Sequence, residues 1–168
     1  MALFDKIYKA KYSAKNYKKY CKDANSTFVY TSVYLSYNEN LDDLPKFVQN
    51  VHYITLFLAD TLNSSLFLFF YDEEHYKFKD KVKEALIDAK MDEVLSIYLL
   101  ALETFSNVTI NRNCNINEFK NSVPNNVQYN ANFYEEELVK LQQNDYLYNQ
   151  LKNDEGLLTF CTDLSIKE

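Results

Sequence analysis

Asp72, Glu73, Glu74 and His75 make up the one local run in which ligand or acid–base chemistry is concentrated. On a helix, Asp72 and His75 stand three apart on one face and could offer an oxygen and a nitrogen to one cation. A zinc centre wants a third and a fourth ligand, and none stands at motif spacing. Carboxylates at a helix start also suit the positive end of its dipole, and that plainer role is the favoured one. The other histidine, His52, falls inside an apolar helical pattern and reads as a packed residue. Neither histidine carries a Cys–His or Ser–His signature. Gly156 is the only glycine, which excludes phosphate and dinucleotide loops, since their close backbone approach needs several. The expectation is a chain without catalytic residues, cofactor or metal, and so not an enzyme. A second acidic run, Glu135, Glu136 and Glu137, reads as the amino-terminal face of a helix or as part of an acidic binding patch.

The elements that would carry these residues follow from composition and pattern. A chain of 168 residues fits one domain with a real core. Hydrophobic residues make up 47%, which excludes disorder by composition. Fifteen Tyr and twelve Phe without any Trp, beside many Lys and Asn, fit an AT-rich coding bias as well as a functional need. Cys21, Cys114 and Cys161 are scattered without metal or disulfide spacing, pointing to free thiols and a reducing, cytoplasmic compartment. The lysine-rich start leads into no apolar run of signal-peptide length, so no secretion signal is expected. Residues 51–71 are apolar enough to suggest a membrane span, but Asp60 and Asn63-Ser64-Ser65 sit at their middle, so buried helices are expected instead.

Charge divides the chain. Residues 1–22 hold seven Lys and one Asp, a balance of +6, whereas residues 23–168 hold eleven Lys or Arg and 23 Asp or Glu, a balance of −12. A basic amino-terminal helix or arm (1–22) therefore precedes an acidic helical domain (23–168). Leu3 to Tyr20 reads as one helix. Thr27 to Tyr37 fits a strand, from its alternating β-branched and aromatic residues, or equally a helix. Asp42, Asp43 and Pro45 mark a helix start, followed by Phe47, Val48, Val51, Ile54, Phe57 and Leu58 at helical steps. Leu66 to Tyr71, Lys77 to Ala89 and Glu93 to Phe105 read as further helices. Ser106 to Asn132 reads as an Asn-rich loop pinned by Ile110, Ile116, Phe119 and Val123. Helix is expected again from Phe133 through Leu141, over Tyr146 to Leu151 and from Asp154 to Leu164. With one glycine, turns of positive φ are expected to fall mainly to Asn. The fold class is all-α, a multi-helix single domain, with a short strand near 27–37 left open.

Leu58 to Asp72, and within it Asn63-Ser64-Ser65-Leu66-Phe67-Leu68-Phe69-Phe70, resembles the segment around the Asn-Gly-Gly-Phe-x-Gln-Phe-Phe motif of bacterial DNA-mimic-protein-like domains. The helix that follows in that family is similar to Lys83 through Met91, and its closing helices to Leu141 through Phe160. Asn63, Phe69 and Phe70 carry over; Ser64 and Ser65 stand where the family has glycines, and Leu68 where it has Gln. The resemblance implies an all-helical, acidic, non-enzymatic protein, often dimeric, that presents carboxylates to a DNA-binding protein as a duplex would. Small acidic domains of this kind also serve as immunity proteins or antitoxins. The expected function is thus an acidic inhibitor or regulator that occupies the basic surface of a toxin or DNA-binding protein. Its expected contacts are Asp72, Glu73, Glu74, Glu135, Glu136 and Glu137, with no direct nucleic-acid partner, no membrane partner and a homodimer left open. The alternative is a structural or adaptor protein forming a constitutive oligomer.

Overall fold

The computed structural model describes residues 3–38 and 40–143. Among these residues the chain forms ten α-helices and one 3-10 turn, and no strand. The helices expected over Tyr146 to Leu151 and Asp154 to Leu164, with Gly156 and Cys161, lie outside the described residues.

The single helix expected over Leu3 to Tyr20 is instead three pieces: α1 (Leu3–Lys11), a 3-10 turn (Ala14–Asn16) and α2 (Tyr17–Tyr20). Ser13 is extended, and the Asn16 side-chain amide donates to the carbonyls of Ala10 at 2.9 Å and Lys11 at 3.1 Å. Those carbonyls belong to the last turn of α1, where no backbone donor remains for them. Behind this break Tyr12, Ala14, Tyr17 and Tyr20 pack against the core, and Cys21 is fully buried.

The strand option at 27–37 is not realised: α3 runs from Ala24 to Tyr37. Its start is a capping box, in which Asp23 accepts from the Ser26 amide at 2.7 Å and Ser26 Oγ accepts from the Asp23 amide at 3.0 Å. The buried residues Thr27, Tyr30, Thr31 and Tyr34 recur at three- and four-residue steps. A helical stripe of threonine and tyrosine therefore won over local β-propensity.

The expected core helix forms as α4 (Lys46–Asn63), entered directly from Pro45. It packs against α3, α7 (Lys79–Asp88) and α5 (Leu66–Tyr71). At its end the amides of Ser64 and Ser65 both donate to the Asp60 carbonyl, at 3.2 and 3.0 Å. Ser65 then turns extended and accepts from the Phe67 amide at 3.1 Å, which starts α5. Neither serine has a positive φ, so this break does not need the glycines of the resembling motif. Phe69 and Phe70 are fully buried; the Phe70 ring stacks on Phe105 at 4.1 Å, and Phe69 meets Phe57 edge-on at 5.2 Å.

The short α6 (Glu73–Tyr76) leads into α7, and α8 (Asp92–Phe105) follows. The positive φ expected of Asn falls instead, among the described residues, to Lys90 at 55°. The Met91 amide donates to the Leu86 carbonyl and the Lys90 amide to that of Ile87, both at 3.0 Å. This is a Schellman closure of α7, and Met91 and Leu86, both fully buried, supply the apolar contact that accompanies it.

The expected loop from Ser106 to Asn132 is corrected too. It contains α9 (Ile116–Ser122) and the first part of α10 (Asn125–Gln143). Asn115 caps α9 in a reciprocal box with Glu118, and Pro124 leads directly into α10. Phe119, Val123, Val127, Ala131 and Leu138 are buried along the two helices. A helical spacing of core residues outweighs the asparagines, whose individual helix penalties stay below about 0.7 kcal/mol.

Candidate functional site

The first acidic run is built around a pair that its own sequence does not contain. Asp72 is the N-cap of α6 and accepts from the amides of Glu74 at 2.9 Å and His75 at 3.4 Å. That places the His75 ring beside the last turn of α4, where Nδ1 lies 2.7 Å from the carboxylate of Asp60. Asp72 stands 3.8 Å from the same nitrogen. Asp60 has a side chain only 9% exposed, whereas His75 keeps a third of its own in solvent. The hydrogen bond to Asp60 holds the His75 pKa above its usual value, with burial opposing and the charges of Asp60, Asp72 and Glu74 assisting. The Asp60–His75 hydrogen bond thus ties α6 to the end of α4. Glu73 and Glu74 are exposed, and Glu74 pairs with Lys77.

An oriented Asp–His pair is the base half of a nucleophilic triad. Among the described residues, no serine, threonine or cysteine hydrogen-bonds the other ring nitrogen of His75. No group of three or more His, Cys, Asp or Glu able to hold a metal is found among them either. The arrangement joins α4 and α6 through a hydrogen-bonded Asp–His pair.

The second acidic run stands in the middle of α10, not at a helix start as expected, because α10 begins at Asn125. Its members have separate roles. Glu135 is half-buried and accepts from the Leu66 amide at 3.0 Å, so it supplies from another helix a partner for the open start of α5. Glu136 is exposed, and Glu137 pairs with Lys140 at 2.6 Å. A hollow of about 550 Å³ lies along this face, with Asn132, Glu135, Glu136, Val139 and Lys140 among its walls.

The two runs are thereby brought to opposite ends of one buried helix. Asp72 closes α5 and Glu135 opens it; the six residues between span roughly 9 Å at 1.5 Å per residue. Sequence separation hid this arrangement, since Leu66 and Glu135 are 69 positions apart. Of the motif residues, Asn63 and Ser64 are exposed at the end of α4, Ser65 is the buried cap, and Phe69 and Phe70 belong to the core.

His52 is only 2% exposed, stacked on Phe28 at 5.3 Å, with Nδ1 2.6 Å from Thr31 Oγ1. Burial lowers its pKa to about 4, with a smaller contribution from His75. Burial also pushes the Cys21 thiol up to about 12, leaving no reactive thiolate there. No described helix is long and apolar enough to cross a membrane.

Searches with this chain return no matching protein family, no matching curated protein and no matching solved structure.

Proposed function

We propose that the chain is a non-catalytic acidic binding protein, an inhibitor or regulator of the DNA-mimic, immunity or antitoxin kind. Its partner would be the basic functional surface of a toxin or a DNA-binding protein. The observation that carries this reading is how the acidic domain distributes its charge. Lys46, Lys77, Lys81 and Lys140 are drawn into pairs with Glu84, Asp88, Glu74 and Glu137, whereas Glu73, Glu136, Asp92 and Glu93 stay exposed and unpaired among the described residues. Over the described residues of this domain nine Lys or Arg stand against 17 Asp or Glu, a balance of −8, and the exposed members of that excess stand on helices that the core holds in place. Such a surface steers encounter with a cationic partner and suffers little ordering cost on binding. The likeness to DNA-mimic-protein-like domains around Asn63 to Phe70 supports the same reading.

Capture from native lysate at low salt, with stepwise salt elution, tests it. The expected result is one dominant basic protein, released by salt and lost when Glu73, Glu74 and Glu136 are changed to Lys. Asp72 and Glu135 are left untouched in that variant, because they close helix ends. Unchanged affinity in the charge-reversed protein defeats the assignment.

A second reading, a constitutive oligomer, is favoured by the exposed apolar side chains of Leu99 and Leu100 on α8 and of Tyr129 and Phe133 on α10. Association that persists at high salt without any other protein would favour it over the first.

A further inference from the structure

The strongly basic part of the chain also leaves apolar side chains in water. Every residue from Lys6 to Lys11 is exposed, with Ile7 at 54% and Tyr8 at 47%. Lys6, Lys9 and Lys11 surround these two on α1, and Lys15, Lys18, Lys19 and Lys22 follow within the next eleven residues. The helix is held at its carboxyl end. Tyr8 stacks on Tyr12 at 6.0 Å, Tyr12 tilts onto Tyr30 at 5.4 Å, and the Lys11 ammonium lies over the rings of Tyr12 and Tyr20 at 5.0 and 5.1 Å. Among the residues whose side chains are described, no carboxylate pairs with Lys15 or Lys18.

We propose that α1 and the lysine-rich turn behind it form an interfacial element that seats the chain on an anionic lipid surface. The chemistry on each side is complementary. Ile7 and Tyr8 enter the boundary between headgroups and acyl chains, and the lysines lay their stems along it with their ammonium groups at lipid phosphates. Two weak signals, apolar insertion and charge, act together, as stable attachment of a short helix requires. The absence of a spanning helix does not bear on this, because such an element lies in the plane of the headgroups. Screening limits the reach of the acidic residues to about 8 Å at physiological salt.

Other occupants fit less well. A nucleic-acid backbone would use the lysines but offers no apolar recess for Ile7. A second copy would need an apolar slot with an acidic rim; Tyr129 and Phe133 beside Glu136 on α10 come nearest to one, and self-association is therefore an outcome of the test.

Flotation of the full chain with vesicles of phosphatidylcholine, with and without a third of phosphatidylserine, tests the proposal. The chain is expected to float with the anionic vesicles alone and to be released at high salt. Lys6→Ser with Lys9→Ser should weaken partition roughly 25-fold, at about five-fold per lysine. Ile7→Ser with Tyr8→Ser should weaken it at least ten-fold, and the lysine variant should not move the unfolding midpoint. Because the chain has no Trp, Tyr8→Trp adds a reporter whose emission should shift to the blue on anionic vesicles only. Failure of the full chain to float with anionic vesicles overturns the proposal. So does loss of binding in the lysine variant while the apolar variant binds normally, since that is adherence by charge alone. Salt-sensitive self-association abolished by either variant would assign the arm to a second copy instead.

Discussion

The two histidines of this chain have opposite chemistries although one helix, α4, supports both. His52 stands within α4, walled by Phe28, Tyr53 and Thr31, and desolvation holds it neutral. His75 reaches the end of the same helix from α6 and finds Asp60 at 2.7 Å, with Asp72 and Glu74 close by, which favours its charged form. Residue type therefore says little; the presence of a carboxylate at the end of α4 and its absence eight positions earlier decides the charge. The two sites are linked as well, since a charged His75 adds to the cost of protonating His52.

Removing His52 is the strongest way to break this comparison. His52→Ala deletes a buried ring and should cost about 2–4 kcal/mol at neutral pH, measured by urea unfolding. It should also change the acid limb. The folded pKa of about 4 lies below the unfolded value near 6.5, so the contribution of His52 is complete above about 6.5 and is lost as pH falls towards 4. In the variant that part of the acid loss disappears. An acid limb as steep as in the parent chain would mean that His52 is not held neutral.

Asp60→Asn acts on the other histidine with a smaller effect and the opposite sign. The loss should be about 1.5–3 kcal/mol below pH 6, near the value for a hydrogen bond to a charged group. It should stay under the roughly 3–5 kcal/mol of a fully buried pair, because solvent reaches a third of the His75 side chain. The folded pKa of His75 is raised, so its contribution is complete below about 6.5 and is lost as pH rises through the folded pKa. The gap between parent and variant should therefore narrow on going alkaline. Proton NMR of the His75 ring gives the direct measure, with its midpoint expected to fall in Asp60→Asn.

How far the sequence discloses this arrangement depends on what each contact is made of. Helices α4, α5, α7 and α8 are legible because Val, Leu, Ile and Phe recur at helical steps. Helix α3 is not, because its buried stripe is Thr27, Tyr30, Thr31 and Tyr34, residues that score as strand; only the Asp23–Ser26 cap betrays it. Asparagine-rich composition conceals α9 and the start of α10, although Asn115 with Glu118 and then Pro124 mark both beginnings. At the site, the Asp72 cap follows from spacing alone. The Asp60–His75 clasp crosses the breaks between helices and the Glu135 contact with Leu66 spans 69 positions, and no local rule reaches them. The basic arm is legible as charge, but where it leaves the core depends on Ser13 and Asn16, whose effect on the backbone is a matter of geometry.

The smallest change sharpens the comparison by leaving both histidines alone. Lys90 occupies the left-handed position that closes α7, with φ at 55°. A side chain there is strained by about 1–2 kcal/mol, part of which a glycine returns as greater freedom of the unfolded chain. Lys90→Gly should therefore stabilise by about 0.5–1 kcal/mol, or roughly 1–4 °C in unfolding midpoint. Lys90 is paired with no carboxylate among the described residues, so the gain should be the same at acid, neutral and mildly alkaline pH. A parallel shift of the whole profile would show that backbone geometry at the α7–α8 turn and the two histidine environments contribute independently. A gain confined to one side of pH 6.5 would mean that the turn is coupled to one histidine, and the pH dependence assigned to that residue would have to be shared with α7.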